Sequence, residues 1–151
     1  MKKQFFRSAA CFALILIAYS TNAQNIAATK AVIEKTNALY FELFKKKDTA
    51  IVNLYTDDAS LLAPNTPPIS GSAALIKDFK AAYTGNIAGV KFKTKEVYGN
   101  GELYATEEGT WRVFDNNGQV IDSGKYLKLW KKAKQGWKIF RDVFNSDHKA
   151  Q

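Results

Sequence analysis

The spacing of apolar residues divides the chain into a helical first half and a β-rich second half. Over residues 26–47, apolar side chains recur every three or four positions, which predicts an amphipathic helix. One face of this helix carries Ile33, Asn37, Tyr40 and Phe44. Asp48 is placed to cap a short second helix, because a carboxylate at that position accepts hydrogen bonds from the free amides of the first turn. A third helix is predicted to begin at its candidate N-cap, Ser72, and to end near Gly85.

From Val90 onward, the apolar period changes to two residues, which is typical of β-strands. Four strands are predicted, over residues 90–98, 103–114, 120–132 and 137–145. The short glycine- and asparagine-rich segments between them predict hairpin turns and therefore an antiparallel meander. A lone strand is predicted earlier, at residues 59–63. The expected fold is an α+β domain in which three N-terminal helices pack on one face of a curved, mainly antiparallel sheet.

The first 23 residues have the three zones of a secretory signal peptide. Lys2, Lys3 and Arg7 form a basic start, residues 8–19 are apolar, and Thr21-Asn22-Ala23 offers small residues at the cleavage positions. The apolar run of about 12 residues is shorter than the roughly 20 that a membrane-spanning helix needs, which favours cleavage before Gln24 over an uncleaved anchor. We therefore expect an exported protein, periplasmic or secreted, without stable membrane insertion after cleavage.

Removal of this signal changes the composition of the chain. The remaining 128 residues, 24–151, form one domain with 19 basic and 14 acidic side chains, a charge of +5. The only cysteine and the only methionine belong to the signal, so the mature domain has no disulfide and is held by packing. The lysines are scattered, which is typical of a solvated surface, and together with export this argues against nucleic acid as a partner.

Several kinds of chemistry are excluded by what the mature domain lacks. Without cysteine it has neither a thiol nucleophile nor a thiolate metal site. Its single histidine, His148, lies near the C-terminus and is expected to be solvated. No glycine-rich phosphate loop follows a strand, and the acids Asp57 and Asp58 resemble a helix cap and a solvated charge more than metal ligands. We therefore expect no cofactor and no metal.

The remaining polar and aromatic groups predict an apolar pocket between the long helix and the sheet. On the third meander strand Tyr126, Lys128 and Trp130 share a face. Strict alternation along the last strand would place Asn145 on one face and Asp142 on the other. The predicted ligand-binding residues are Asn37, Tyr40, Phe44, Tyr55, Trp111, Tyr126, Trp130 and Asn145. Because both sheet faces carry apolar groups, the face without helices is predicted to be buried in a homodimer.

The order of these elements resembles the nuclear-transport-factor-2-like superfamily, in its SnoaL-like and ketosteroid-isomerase-like branch. The resemblance rests on the sequence Leu-Tyr-Thr-Asp-Asp-Ala at 54–59, on Pro64, on the helix opened by Gly71, and on Gly-Trp-Lys-Ile-Phe-Arg-Asp at 136–142. With Tyr-Phe-Glu-Leu at 40–43 it covers nearly the whole mature chain. It implies a cone-shaped, cystatin-like α+β fold.

The resemblance also implies roles for individual residues. In ketosteroid isomerases a tyrosine on the first helix donates to the developing enolate oxygen, and Tyr40 matches it; a second tyrosine matches Tyr55. The family's general base is an aspartate directly before a proline, a position that Ala63 occupies in this chain. The family's second oxyanion donor, an aspartate, matches Tyr126. An oxyanion donor without a base polarises or binds a carbonyl but does not by itself start enolisation.

Three functions remain open on the sequence. The first is a domain that binds a small apolar or carbonyl-bearing molecule without turning it over. The second is an isomerase, cyclase or hydratase with Tyr40 and Asp142 as catalytic residues, with Asp58 as the weaker candidate base; Asp142 would instead have a surface role if it paired with Arg112 or Arg141. The third is an oligomerisation or protein-association module, because this fold serves many functions.

Overall fold

The computed structural model describes residues 25–99 and 101–148; the predicted signal peptide, residues 1–23, lies outside them. The first helix, α1, covers residues 25–45. The elements that follow are a 3-10 helix at Thr49–Leu54, strand β1 at Tyr55–Leu62, strand β2 at Ile69–Ser70, helix α2 at Ser72–Thr84, and strands β3 at Gly89–Gly99, β4 at Tyr104–Phe114, β5 at Val120–Ala133 and β6 at Gly136–Ser146. None of the helices in the described part of the chain is both long and apolar enough to cross a membrane.

The six strands form one sheet in the order β2-β1-β6-β5-β4-β3. All neighbouring pairs are antiparallel except β1 and β6, which are parallel. The predicted α+β class, with helices on a mainly antiparallel sheet, is therefore confirmed. The strand predicted as isolated joins the meander through β6, so that the first and last strands of the domain lie side by side.

The predicted face of α1 is confirmed by burial. Ile33, Asn37, Tyr40 and Phe44 are all buried against the core, with Thr29 one turn earlier. Asp48 caps the 3-10 helix as predicted, because its carboxylate accepts from the Ala50 amide at 2.8 Å. The cap of α2 was predicted wrongly: the N-cap is Gly71, whose φ of +82° suits glycine, and no side chain caps this helix.

Strand β6 departs from the strict alternation predicted for it. Trp130 pairs with Ile139 while the preceding Leu129 pairs with Arg141, which leaves Phe140 as an extra residue in a β-bulge. Ile139 and Asp142 are consequently both buried, whereas alternation assigned them to opposite faces. The bulge turns Asp142 towards the helices.

Candidate ligand-binding site

A cavity of about 260 Å³ lies between α1, α2 and the sheet. Its aromatic walls are Tyr40, Phe44, Phe79, Phe92, Trp111 and Phe144, and its aliphatic walls are Leu61, Ala82, Ile87, Val90 and Val113. Three carboxylates, those of Asp78, Asp122 and Asp142, complete the lining. The cavity is thus mainly apolar, with a few polar groups that converge on it, as in small-molecule sites.

Tyr40 is fixed in this wall by the rings around it. Its ring centroid lies 5.1 Å from that of Phe92 and 6.0 Å from that of Phe79, both in edge-on geometry, which is a favourable arrangement for aromatic pairs. Burial, and after it the charge of Asp142, raise the pKa of the Tyr40 phenol, against which a hydrogen bond with Tyr55 acts. The hydroxyl therefore stays protonated at neutral pH.

Asp142 brings a buried carboxylate to the same cavity. Its side chain is 3% exposed, and its Oδ2 accepts a hydrogen bond from Tyr55 Oη at 3.0 Å. Burial raises the pKa of Asp142, while the charge of Lys128 and the bond from Tyr55 lower it. Tyr40, Tyr55 and Asp142 form a chain of polar groups, of which Tyr40 and Asp142 line the cavity.

The charges beneath the cavity alternate in sign across three strands. Lys128 on β5 is paired in register with Glu107 on β4 and with Asp142 on β6. Glu107 and Lys128 both have exposures of 0%. The interaction with both acids offsets part of the desolvation that lowers the pKa of Lys128.

Glu107 is saturated with hydrogen-bond donors. Its Oε1 accepts from Tyr126 Oη at 2.5 Å, from Thr94 Oγ1 at 2.6 Å and from Asn37 Nδ2 at 2.7 Å. Its Oε2 accepts from Trp130 Nε1 at 2.9 Å. Such a fully satisfied buried network stabilises one arrangement of side chains.

The ammonium group of Lys128 lies against aromatic rings. Its Nζ lies 3.2 Å from the ring centroid of Phe92 and donates to Asn37 Oδ1 at 3.2 Å. The rings of Tyr126 and Tyr40 lie further away, at 4.8 and 5.6 Å from Nζ. Cation–π attraction thus helps to stabilise the buried ammonium group of Lys128, which does not line the cavity.

The predicted binding residues, together with the predicted catalytic residue Asp142, fall into three groups. Tyr40, Phe44, Trp111 and Asp142 line the cavity. The buried polar network beneath it contains Asn37, Tyr55, Tyr126 and Trp130. Asn145 is exposed on the outer face of the sheet, where its Nδ2 donates to the carbonyl of Ser146, so the bulge in β6 takes it away from the site.

The proposed base positions are also separated by the fold. Ala63 follows the end of β1, and its carbonyl accepts from Thr66 Oγ1. Asp58 is exposed on the surface, 3.8 Å from Lys131. The surface role considered for Asp142 does not apply, because Asp142 is buried while Arg141 Nη1 donates to the carbonyls of Asp58 and Phe140.

Sequence reasoning missed Glu107, Asp78 and Asp122. The signal for Glu107 was present in β4, because Ala105, Glu107, Gly109 and Trp111 occupy alternate positions, all buried. That pattern places one carboxylate on the inner face of a strand. Asp78 and Asp122 gave no such signal, because they are partly exposed and only the tertiary fold brings them to one cavity.

No group of three or more His, Cys, Asp or Glu side chains in residues 25–99 and 101–148 is arranged to hold a metal ion.

The fold and cavity together define a class, the cystatin-like α+β domains with a pocket between helices and sheet. The sequence model of the SnoaL-like domain matches residues 38–141, more than half of the 151-residue chain. The chain therefore belongs to the SnoaL-like domain family.

Solved structures with the same fold are distant in sequence. A ketosteroid isomerase-like protein from Erwinia carotovora atroseptica has 23% identity and a TM-score of 0.64, over 79% of this chain and 96% of that chain. A putative dehydratase of the NTF2-like family from Streptomyces avermitilis has 13% identity and a TM-score of 0.64, over 82% and 99%. An NTF2-like superfamily protein from Salmonella enterica serovar Typhimurium has 17% identity and a TM-score of 0.64, over 83% and 95%. At these identities the likeness concerns the fold, and no curated protein sequence matches the chain significantly.

Proposed function

We propose that this protein is an exported domain that binds a compact apolar molecule, with a carbonyl group, in the cavity between α1, α2 and the sheet. The observation that carries this proposal is the aromatic cavity in which the Tyr40 hydroxyl and the Asp142 carboxylate lie. An apolar wall supplies the affinity, and a protonated phenol supplies an oriented donor for a carbonyl oxygen.

The size of the cavity limits the ligand. Its volume of about 260 Å³ is below the roughly 300–1,000 Å³ of pockets for drug-sized ligands. It exceeds the roughly 150 Å³ of an engineered cavity that binds benzene. The proposed ligand is therefore a compound of one or two rings, or an aliphatic compound of similar volume.

Binding of acetophenone, followed by NMR on the ¹⁵N-labelled mature chain, tests this proposal. We expect shifts of the amides around Tyr40, Phe92 and Trp111. Tyr40→Phe should weaken binding about fivefold to tenfold, because one hydrogen bond contributes about 1 kcal/mol. Tyr104→Phe is the matched control, since Tyr104 is exposed on the outer face of the sheet. Shifts confined to that outer face, or equal affinities of the two variants, would contradict the proposal.

A second function is favoured by the position of Asp142. A buried carboxylate with a raised pKa is a stronger base than an exposed one, and Asp142 lies in the same cavity as the Tyr40 donor. In this alternative, Asp142 takes a proton from the carbon next to a carbonyl, and Tyr40 donates to the resulting enolate oxygen. The domain would then be an isomerase, cyclase or hydratase with its base on β6, since Ala63 occupies the usual position.

Metabolite profiling separates binding from turnover. Purified protein is incubated with metabolite extract, and the products are compared with those of Asp142→Asn. Turnover that is lost in the variant supports the enzyme. Equal turnover would remove Asp142 from the mechanism, and no turnover by either protein would leave binding as the function.

The outer face of the sheet supports a proposed homodimer. Tyr104, Leu127 and Val143 are 42%, 48% and 40% exposed there, and apolar groups gathered on one face favour association. Light scattering at micromolar concentration should give the mass of a dimer, and Leu127→Lys should give a monomer. A monomeric wild-type protein would contradict this proposal.

Export is tested separately by N-terminal sequencing of the protein from the periplasm or medium, which should begin at Gln24.

A further inference from the structure

The polar lining of the cavity has one sign of charge. Its three ionisable side chains other than tyrosine are the carboxylates of Asp78 on α2, Asp122 on β5 and Asp142 on β6. No lysine, arginine or histidine is among the described residues that line it. Aspartates on three different elements thus converge on a space that is otherwise apolar.

The negative charges of these carboxylates are only partly compensated by neighbouring cations. The Asp78 carboxylate makes no hydrogen bond and no ion pair within the described ranges, and burial alone raises its pKa. Asp122 Oδ1 accepts from Ser146 Oγ and from the Ser123 amide, both at 2.7 Å, and its ion-pair partner among the described residues, His148, lies 3.5 Å away with its side chain 67% exposed. Lys128 lies behind the wall of Phe92, where its charge also faces Glu107. The ionised side chains that line the cavity are all acidic, so we expect the cavity to disfavour an organic anion.

The aromatic walls favour the same kind of ligand. Six aromatic side chains bound the cavity. An ammonium group is attracted to the negative face of an aromatic ring, and this attraction grows when the group leaves water. Lys128 makes such a cation–π contact within this chain, because its Nζ lies against the ring of Phe92.

We propose that the ligand of this cavity is a compact organic cation, in which the apolar, carbonyl-bearing molecule also carries an amine or quaternary ammonium group. The aromatic walls hold the apolar group, and Asp78 and Asp122 compensate the cationic nitrogen. This inference rests on the proposed binding function and narrows its ligand class: neutral relatives bind more weakly, and anions of the same size are excluded.

Three probes of one size test the inference: benzylamine (protonated at pH 7), benzyl alcohol and benzoate. Their affinities for the mature wild-type protein are measured by NMR titration at low ionic strength. We expect benzylammonium to bind at least about tenfold more tightly than benzoate, with benzyl alcohol between them. Added salt should reduce the difference between the two charged probes, because it screens the partly exposed acids.

Two variants assign the effect to individual carboxylates. Asp78→Asn and Asp122→Asn should each weaken benzylammonium binding about threefold to tenfold and leave benzyl alcohol unchanged. Asp57→Asn is the matched control, since it removes the same charge from an exposed position outside the cavity lining. It should change none of the three affinities by more than about twofold.

The outcomes separate this inference from the function on which it rests. If benzoate binds as tightly as benzylammonium while benzyl alcohol also binds in the cavity, the inference is overturned and the binding function stands. An equal effect of Asp57→Asn and Asp78→Asn would also overturn it, because the preference would then follow net charge. If neither acetophenone nor any of the three probes binds, both the proposed function and this inference are contradicted. The wild-type comparison needs no variant, so a variant that fails to fold does not remove the test.

Discussion

Glu107 and Asp142 are two buried carboxylates on either side of Lys128, and their surroundings differ. Glu107 accepts hydrogen bonds from four side chains. Asp142 accepts one, from Tyr55, and lies against the cavity. Both are neighbours of the same lysine in register. The difference indicates that one acid organises the core, whereas the other keeps acceptor capacity on the side of the cavity.

The largest expected effect is on the saturated acid. Glu107→Gln replaces a charge-assisted acceptor with an amide and removes one of the two charges that face Lys128. We expect the free energy of unfolding in urea to fall by about 3 kcal/mol, because buried donors lose their partner.

The neighbouring acid is the control for this variant. Glu108 points to the opposite face and pairs with the exposed Lys95 at 3.0 Å. Glu108→Gln should cost less than about 1 kcal/mol, as exposed ion pairs do. Equal losses for the two variants would remove the distinction between the buried network and the surface.

For Asp142→Asn we expect the free energy of unfolding to rise, the opposite of the change expected for Glu107→Gln. Because the pKa of Asp142 is raised above the ordinary 3.8, its protonated form is favoured by folding. The stability that this preference gives is present below pH 3.8 and is lost as the pH rises through the raised pKa. Asp142→Asn should therefore raise the free energy of unfolding by about 1 kcal/mol at pH 7, since site residues often reduce stability.

The pH dependence of this gain is its diagnostic feature. The gain of Asp142→Asn should shrink as the pH falls below the raised pKa, because wild-type Asp142 then carries its proton in the folded state. Asp57→Asn, at an exposed position, should stay within about 0.5 kcal/mol of the wild type at all pH values. A destabilised Asp142→Asn at pH 7 would mean that Asp142 is needed to compensate Lys128 and is structural, like Glu107.

An effect of similar size is expected at Tyr55, the donor to Asp142. Its hydrogen bond lowers the pKa of Asp142, so Tyr55→Phe should move the titration of the Asp142 carboxyl carbon, followed by ¹³C NMR, to higher pH. The stability cost should be about 1 kcal/mol, that of one hydrogen bond. Tyr83→Phe is the control, because Tyr83 Oη donates to the carbonyl of Asp48 and should leave this titration in place.

Most of the fold followed from local patterns in the sequence. The period of two predicted β3 to β6 to within a residue or two, since each strand is 11 residues or longer and alternates over most of its length. Strand β2 has two residues, Ile69 and Ser70, too few to show a period. The pairing of β1 with β6 depends on contacts more than 70 positions apart in the chain, which no local pattern contains.

The site was only partly predictable, for a physical reason. Tyr40 and Phe44 lie on a helical face, which the spacing of apolar residues specifies. The burial of Glu107 and Lys128 depends on cross-strand register, which pairs an acid with a base across the sheet. The inward direction of Asp142 depends on one inserted residue, Phe140, and a bulge reverses every later position of a strand.

Asn145 offers the test with the smallest expected effect. It is exposed, three residues after Asp142, on the face that the bulge turns outward. Asn145→Ala should therefore change the free energy of unfolding by less than about 0.5 kcal/mol and leave the affinity for acetophenone unchanged. Urea unfolding and the same NMR titration measure both. A loss of affinity comparable to that of Tyr40→Phe would mean that Asn145 lines the cavity. Strand β6 would then alternate regularly, and Asp142 would face away from the ligand.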